Sequence, residues 1–207
     1  MIYTHQFVWL HFPKCAGTKI EQLFKTYFSD HQAVFQDVID HNDSIYAWHD
    51  SIAEREARDP SFKLGSRIVI CSYRKLSSWL ESRYNFEAQR SPHLSHNPEM
   101  LLEGQFWEAQ GFVNHADVYI EKYLPDSLLK SGNVRFLRTE FFEQDFKSLF
   151  GEFLDLSSIP DWEYRSMENA SKKHLPDSIK EQLYANQKAV YEKCPAWRAV
   201  DEIVYGL

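Results

Sequence analysis

The chain has 207 residues, 43% of them hydrophobic and 15% aromatic, enough apolar surface to bury a core and too much for a disordered polymer. Its 23 Lys and Arg against 30 Asp and Glu leave a formal charge of −7, which excludes nonspecific attachment to nucleic acid or to an anionic membrane, since either needs a positive field. Three cysteines without paired or metal-ligand spacing, no apolar run of roughly 18 residues, and no secretory leader pattern in "MIYTHQFVWL" predict a cytoplasmic protein with no membrane span.

Neither a repeat nor a Pro/Gly/Ser linker interrupts the chain, so a single domain over residues 1–207 is expected. Phe7 to Phe12 reads as a buried strand, and Thr18 to Phe28 as a helix with Ile20, Leu23, Phe24 and Phe28 on one face. Arg67 to Ser72 is a second buried strand, leading into a helix marked by Leu76, Trp79, Leu80 and Tyr84. Val134 to Leu137 is a third strand, followed by a helical pattern from Glu140 to Leu156. Residues 45–58, 97–123 and 176–192 read mainly as helix, and "FVNHADVYIEKYL" as one amphipathic helix in which Tyr119 and Tyr123 pack inward. Strands separated by helices predict an α/β fold with a central parallel sheet flanked by helices. The Asn-x-Ser sequons at Asn42 and Asn169 are expected to be chance matches.

An open parallel sheet binds ligands beyond the carboxyl ends of its strands. Two such ends carry basic residues here, Lys14 and Lys19 after the first strand, Arg74 and Lys75 after the second. The small-residue turn Ala16-Gly17-Thr18 before a helix offers backbone N–H groups and a positive helix end to an anion. It is not a Walker A loop, because no glycine stands four residues or so before Gly17 and Thr18, not Lys, follows it. It is not the loop of a cysteine phosphatase either: the arginine needed six positions after Cys15 is Glu21.

"HFPKCAGTKI", His11 to Ile20, resembles the 5′-phosphosulfate loop of the sulfotransferases that use 3′-phosphoadenosine 5′-phosphosulfate (PAPS), in particular their carbohydrate-directed branch. "ICSYRKLSSWLESRYNF" is similar to the 3′-phosphate element of that family, with Ser82 eight positions after Arg74. "VRFLRTEFFEQDF" resembles its later strand and acidic turn, and "ENASKKHLPDSI" the basic loop that covers the nucleotide. Two departures stand out: Leu76 where the family has Pro, and Lys19 where it has a second hydroxyl. The resemblance implies a P-loop-like three-layer fold and transfer of a sulfuryl group from PAPS to an acceptor hydroxyl, of a carbohydrate or a smaller molecule, by in-line displacement. It implies that Lys14 stabilises the leaving phosphate, that Cys15, Ala16, Gly17, Thr18 and Lys19 surround the phosphosulfate, and that Arg74 and Ser82 hold the 3′-phosphate. Lys172 and Lys173 would then cover the nucleotide, leaving adenosine 3′,5′-bisphosphate as product and requiring no metal.

A hydroxyl acceptor needs a base titrating near neutrality, which favours histidine. His49, between the two phosphate elements, is the first candidate; Asp50 and Glu54 stand close enough in sequence to orient it or to replace it, and His11 is expected to be structural. His93 and His96 lack a third ligand for zinc, and their segment, Arg90 to Phe106, is read as acceptor-facing or exposed, with Phe106 and Trp107 as core. Two other readings stay open from the residues alone: a small-molecule kinase with a degenerate phosphate loop, and a noncatalytic adenosine-phosphate-binding module.

Overall fold

The computed structural model describes residues 1–37, 47–94, 96–108, 111–166 and 171–207. Its first strand, β1 (Ile2–Tyr3), turns at Thr4 into β2 (Phe7–Leu10). Thr4 makes that turn by accepting the N–H groups of Gln6 (3.0 Å) and Phe7 (3.2 Å) on its hydroxyl oxygen. α1 (Gly17–Tyr27) follows, then β3 (Phe35–Gln36), a 3₁₀ turn at Ala47–His49, α2 (Ile52–Arg58) and β4 (Ile68–Tyr73). Next come α3 (Leu76–Arg90), a 3₁₀ segment at Pro98–Glu103, the hairpin strands β5 (Gln105–Trp107) and β6 (Val113–His115), α4 (Ala116–Tyr123) and α5 (Asp126–Lys130). β7 (Val134–Arg138), α6 (Phe142–Phe150), α7 (Asp161–Arg165), α8 (Asp177–Ala185), α9 (Gln187–Lys193) and α10 (Pro195–Tyr205) complete the described chain.

These elements group into two units, Met1–Tyr73 with Asp126–Asn169, and Arg74–Pro125 with Ala170–Leu207. The first holds a five-stranded sheet in the order β3-β1-β2-β4-β7. β2, β4 and β7 run parallel, with Leu10 opposite Cys71 and Ser72 opposite Leu137, while β1 and β3 join antiparallel. The sheet is therefore mixed, not wholly parallel: strands of two residues are too short to show a period in sequence, and the Thr4 turn reverses β1 onto β2. Phe7, Trp9, Ile70 and Leu137 face α1, α6 and α7 and form one core with Ile20, Leu23, Phe24, Phe146 and Phe150. Phe24 is its hub, its ring within 5.1–6.4 Å of those of Phe7, Phe28, Phe146 and Phe150. Trp9 donates its indole N–H to Ser72 at 2.8 Å, tying β2 to β4 inside the core.

The second unit is built on α3. Trp79 packs edge-on to Phe106 at 5.0 Å and against Trp197 of α10 at 4.6 Å. The carboxylate of Asp201 on α10 accepts the first helical N–H of α3, at Leu76, and the Tyr191 hydroxyl at 2.5 Å. Asp117 on α4 accepts the N–H groups of Ala196 and Trp197 at 3.0 and 2.8 Å, so it seats the start of α10.

Several boundaries differ from expectation. β2 ends at Leu10, two residues early, because the chain turns there, with the Phe12 N–H donated to the Leu10 carbonyl. The segment 97–123 is not one continuous helix: between the 3₁₀ segment Pro98–Glu103 and the helix Ala116–Tyr123, β5 and β6 pair as a hairpin. Tyr123 is buried and Tyr119 stacks on Trp79 and Phe106, as packing residues should, and Phe106 is fully buried. The sequons at Asn42 and Asn169, residues 45 and 46 of the expected helix, and the first residues of the "ENASKKHLPDSI" segment lie outside the described residues. Among the described residues no helix is long and apolar enough to cross a membrane.

Replacing Phe24 by Ala removes a ring with four aromatic neighbours and should destabilise the fold by about 3–5 kcal/mol. The midpoint of urea unfolding, followed by tryptophan fluorescence, measures it, and a loss below about 1 kcal/mol would show that the cluster is not the core of the first unit.

Candidate functional site

The segment between β2 and α1 is held in an unfavourable backbone conformation. Lys14 (φ 65°) and Ala16 (φ 60°) both lie in the left-handed region, which costs a non-glycine residue roughly 1–2 kcal/mol each. Burial compensates, because the side chains on either side of Lys14's short excursion, Phe12 and Cys15, are fully buried, Phe12 edge-on to Tyr73 at the end of β4. Left-handed residues on both sides of Cys15 curl the backbone of the turn. α1 then starts from Ala16, whose carbonyl accepts the N–H groups of Lys19 and Ile20. Its N-cap residue, Ala16, carries no capping side chain, and the first turn of the helix holds no acidic residue. Lys14 is half-buried at the turn and Thr18 is exposed on the first helical turn.

Gly17 is required by a side chain. A Cβ there would lie 1.8 Å from His11 Nε2 and 2.2 Å from its Cδ2, so the imidazole occupies the space that any other residue would need. His11 is buried, stacked on Trp9 at 5.2 Å, with Nδ1 2.7 Å from Glu21 Oε1, near enough for an ion pair when protonated but not aligned for a hydrogen bond. On its other side lies His49, ring centroids 4.2 Å apart, and His49 Nδ1 is 3.3 Å from the His11 carbonyl oxygen. If Nδ1 carries the hydrogen and donates it there, the lone pair of His49 is on Nε2. The structure thus brings together the turn after β2, His11 and His49, all three within the first unit.

Asp50 and Glu54 serve the local structure of the same segment. Glu54 closes a capping box at the start of α2, accepting the Ser51 N–H at 2.8 Å while Ser51 Oγ accepts the Glu54 N–H. Asp50 pairs with Arg55 at 3.6 Å and with Arg58, yet burial still raises its carboxyl pKa.

Lys19 departs from expectation. It is only 8% exposed, and its ammonium reaches Glu163 Oε2 at 3.2 Å and Ser166 Oγ, while Tyr27 donates to Glu163 Oε1 at 3.2 Å. Its charge fastens α1 to α7, so the ammonium is engaged within the fold. Nothing in sequence linked residue 19 to residue 163.

In the second unit, Arg74 immediately precedes α3 and Ser82 stands about 9 Å along that helix from its start. The first N–H of α3, at Leu76, is already taken by Asp201. The basic segment docks on the same helix: Lys172 donates its N–H to Gln89 Oε1 at 2.9 Å, and His174 and Leu175 donate theirs to Asn85 Oδ1 at 2.7 and 2.8 Å. Ser82, Asn85 and Gln89 are spaced i, i+3, i+7, on one face. Both lysine side chains are exposed, that of Lys173 paired with Asp177. His93 is exposed, whereas His96 is set against Tyr84 and Trp107, with Nε2 3.0 Å from the Ser91 carbonyl.

One convergence could not be read from spacing. His115, Asp117 and Cys194 place potential ligand atoms within 4.8 Å of one another. All three are engaged within the fold. His115 Nδ1 accepts the Asp117 N–H at 3.3 Å, Asp117 seats α10, and Cys194 Sγ lies 3.9 Å from His115 Nε2. Burial pushes the Cys194 thiol up to about 12, and the Asp117 charge adds to this, so it is inert at neutral pH.

No family model, no curated protein and no solved structure matches the chain.

Gly17→Ala should displace the His11 ring and destabilise the protein by about 1–3 kcal/mol, and His11→Ala in the same chain should recover part of that loss. Urea midpoints of the single and double variants measure the coupling; strict additivity would sink the steric account. All three cysteines are buried thiols outside any disulfide. Native protein at pH 7 should leave a chromogenic disulfide reagent unreacted over minutes and release three equivalents once denatured in guanidinium; rapid native reaction of one thiol would contradict this burial.

Proposed function

We propose that the chain is a PAPS-dependent sulfotransferase of P-loop-like α/β architecture that acts on a hydroxyl, most simply of a carbohydrate. The observation that carries the reading is the turn after β2: two non-glycine residues, Lys14 and Ala16, in left-handed conformation at the start of a helix whose first turn holds no acidic residue. Strain of this kind persists where it serves a ligand, and the ligand favoured by curled N–H groups, a helix end and a lysine is a phosphate or sulfate. Within each unit separately, the residues present suit one end of PAPS. Lys14, Thr18 and the backbone of residues 15–18 suit the 5′-phosphosulfate; Arg74, Ser82 and Lys172 suit the 3′-phosphate.

When bound, the cofactor supplies an activated sulfuryl group on a bridging oxygen. The chain's own contribution is charge and position. Lys14 neutralises charge on the 5′-phosphate side as the bridging bond loosens. His49, oriented by the His11 carbonyl, takes the acceptor proton at Nε2. Glu54 and Asp50, held by α2, are secondary candidates for that role. Three buried cysteines without a disulfide accord with a cytoplasmic setting.

Calorimetry with adenosine 3′,5′-bisphosphate and transfer of labelled sulfate to a glycan panel test the reading. Lys14→Ala should lower kcat by roughly 10²–10³-fold, and His49→Ala should abolish transfer while nucleotide affinity is kept. Absence of bisphosphate binding alongside tight binding of ATP would overturn the assignment in favour of a kinase, and tight bisphosphate binding without transfer to any acceptor would favour a noncatalytic module.

A further inference from the structure

We infer that Asn85 is a positioning residue for anion capture: its carboxamide oxygen sets the Lys172–Lys173 segment on the Ser82 face of α3, so that the ammonium of Lys172 can close on a 3′-phosphate. The inference rests on the proposed function and names the device that brings the basic segment to the phosphate.

Asn85 is buried on α3, and its Oδ1 accepts two consecutive backbone N–H groups, those of His174 and Leu175, at 2.7 and 2.8 Å. An amide oxygen has two lone pairs, so this one atom satisfies both donors. Leu175 is buried next to this anchor, whereas Lys172, Lys173 and His174 are exposed. The backbone is therefore pinned at three amides, through Asn85 twice and Gln89 once, while the charged heads stay in solvent. Pinning matters because a flexible lysine segment would have to be ordered by the ligand itself, at the expense of affinity. A neutral side chain suits the position: an aspartate would accept the same two N–H groups but would set a negative charge on the helix face that bears Ser82, where the phosphate is to be held. Lys173 is already paired with Asp177, which makes Lys172 the segment's main charge for the ligand.

Hydrogen exchange and calorimetry on the full chain test this. Asn85→Ala should speed exchange of the His174 and Leu175 amides and weaken adenosine 3′,5′-bisphosphate about tenfold, while adenosine 5′-monophosphate, which lacks the 3′-phosphate, binds as before. Asn85→Asp should restore the slow exchange but not the bisphosphate affinity. Gln89→Ala, at an exposed site that cannot unfold the chain, should show the same ligand pattern with a smaller loss. Equal weakening of both nucleotides, or unchanged bisphosphate affinity in Asn85→Ala, overturns the positioning role and leaves the sulfotransferase reading standing. Failure of the unaltered protein to bind the bisphosphate overturns both.

Discussion

The imidazole of His11 lies where a side chain on residue 17 would begin, and that contact constrains the turn, the helix and the second histidine together. With Gly17 under the ring, α1 can start immediately beyond the turn. With Trp9 and Glu21 on the ring's flanks, the imidazole cannot swing away. The His11 carbonyl oxygen lies 3.3 Å from His49 Nδ1, so the second histidine is held by the same residue. The left-handed conformations of Lys14 and Ala16 are tolerated because Phe12 and Cys15 are buried on either side and His11 holds the start of the turn.

Helix starts in this protein are met in different ways, that of α2 by its own capping box and that of α4 by His115 Nδ1. Those of α3 and α10 receive a carboxylate from a distant part of the chain, Asp201 and Asp117. The N-cap of α1, Ala16, has no side chain that could cap it, and its first turn holds no acidic residue. A carboxylate on the terminal N–H groups cancels the positive end of a helix and repels a second anion.

Much of the frame was legible from the chain. Strands buried on both faces announce themselves as apolar runs, and β2, β4 and β7 appeared where Val, Ile, Leu and Phe accumulate. β1, β3, β5 and β6 did not, because two or three residues carry no period, and their pairing depends on turns at Thr4 and around Gly111. His11 could be read as structural from its place at a strand end, but its seat on Gly17 could not. Lys19 illustrates the limit best. In sequence it is one more cation in a phosphate loop; in the fold it is buried against Glu163, whose 144-residue separation no local pattern can signal.

The sequence by itself determined the alternation of strand and helix, the basic residues at two strand ends and the small-residue turn between them, because these depend on periodicity and backbone chemistry within a few residues. Only the tertiary structure decided which charges remain for a ligand. Lys19 and Lys173 are answered by carboxylates, α3 and α10 are capped from afar, and His115, Asp117 and Cys194 close on one another. The physical reason is that a charge is neutralised by whatever the fold sets beside it. That neighbour is chosen by packing across the whole chain, not by its own surroundings in sequence.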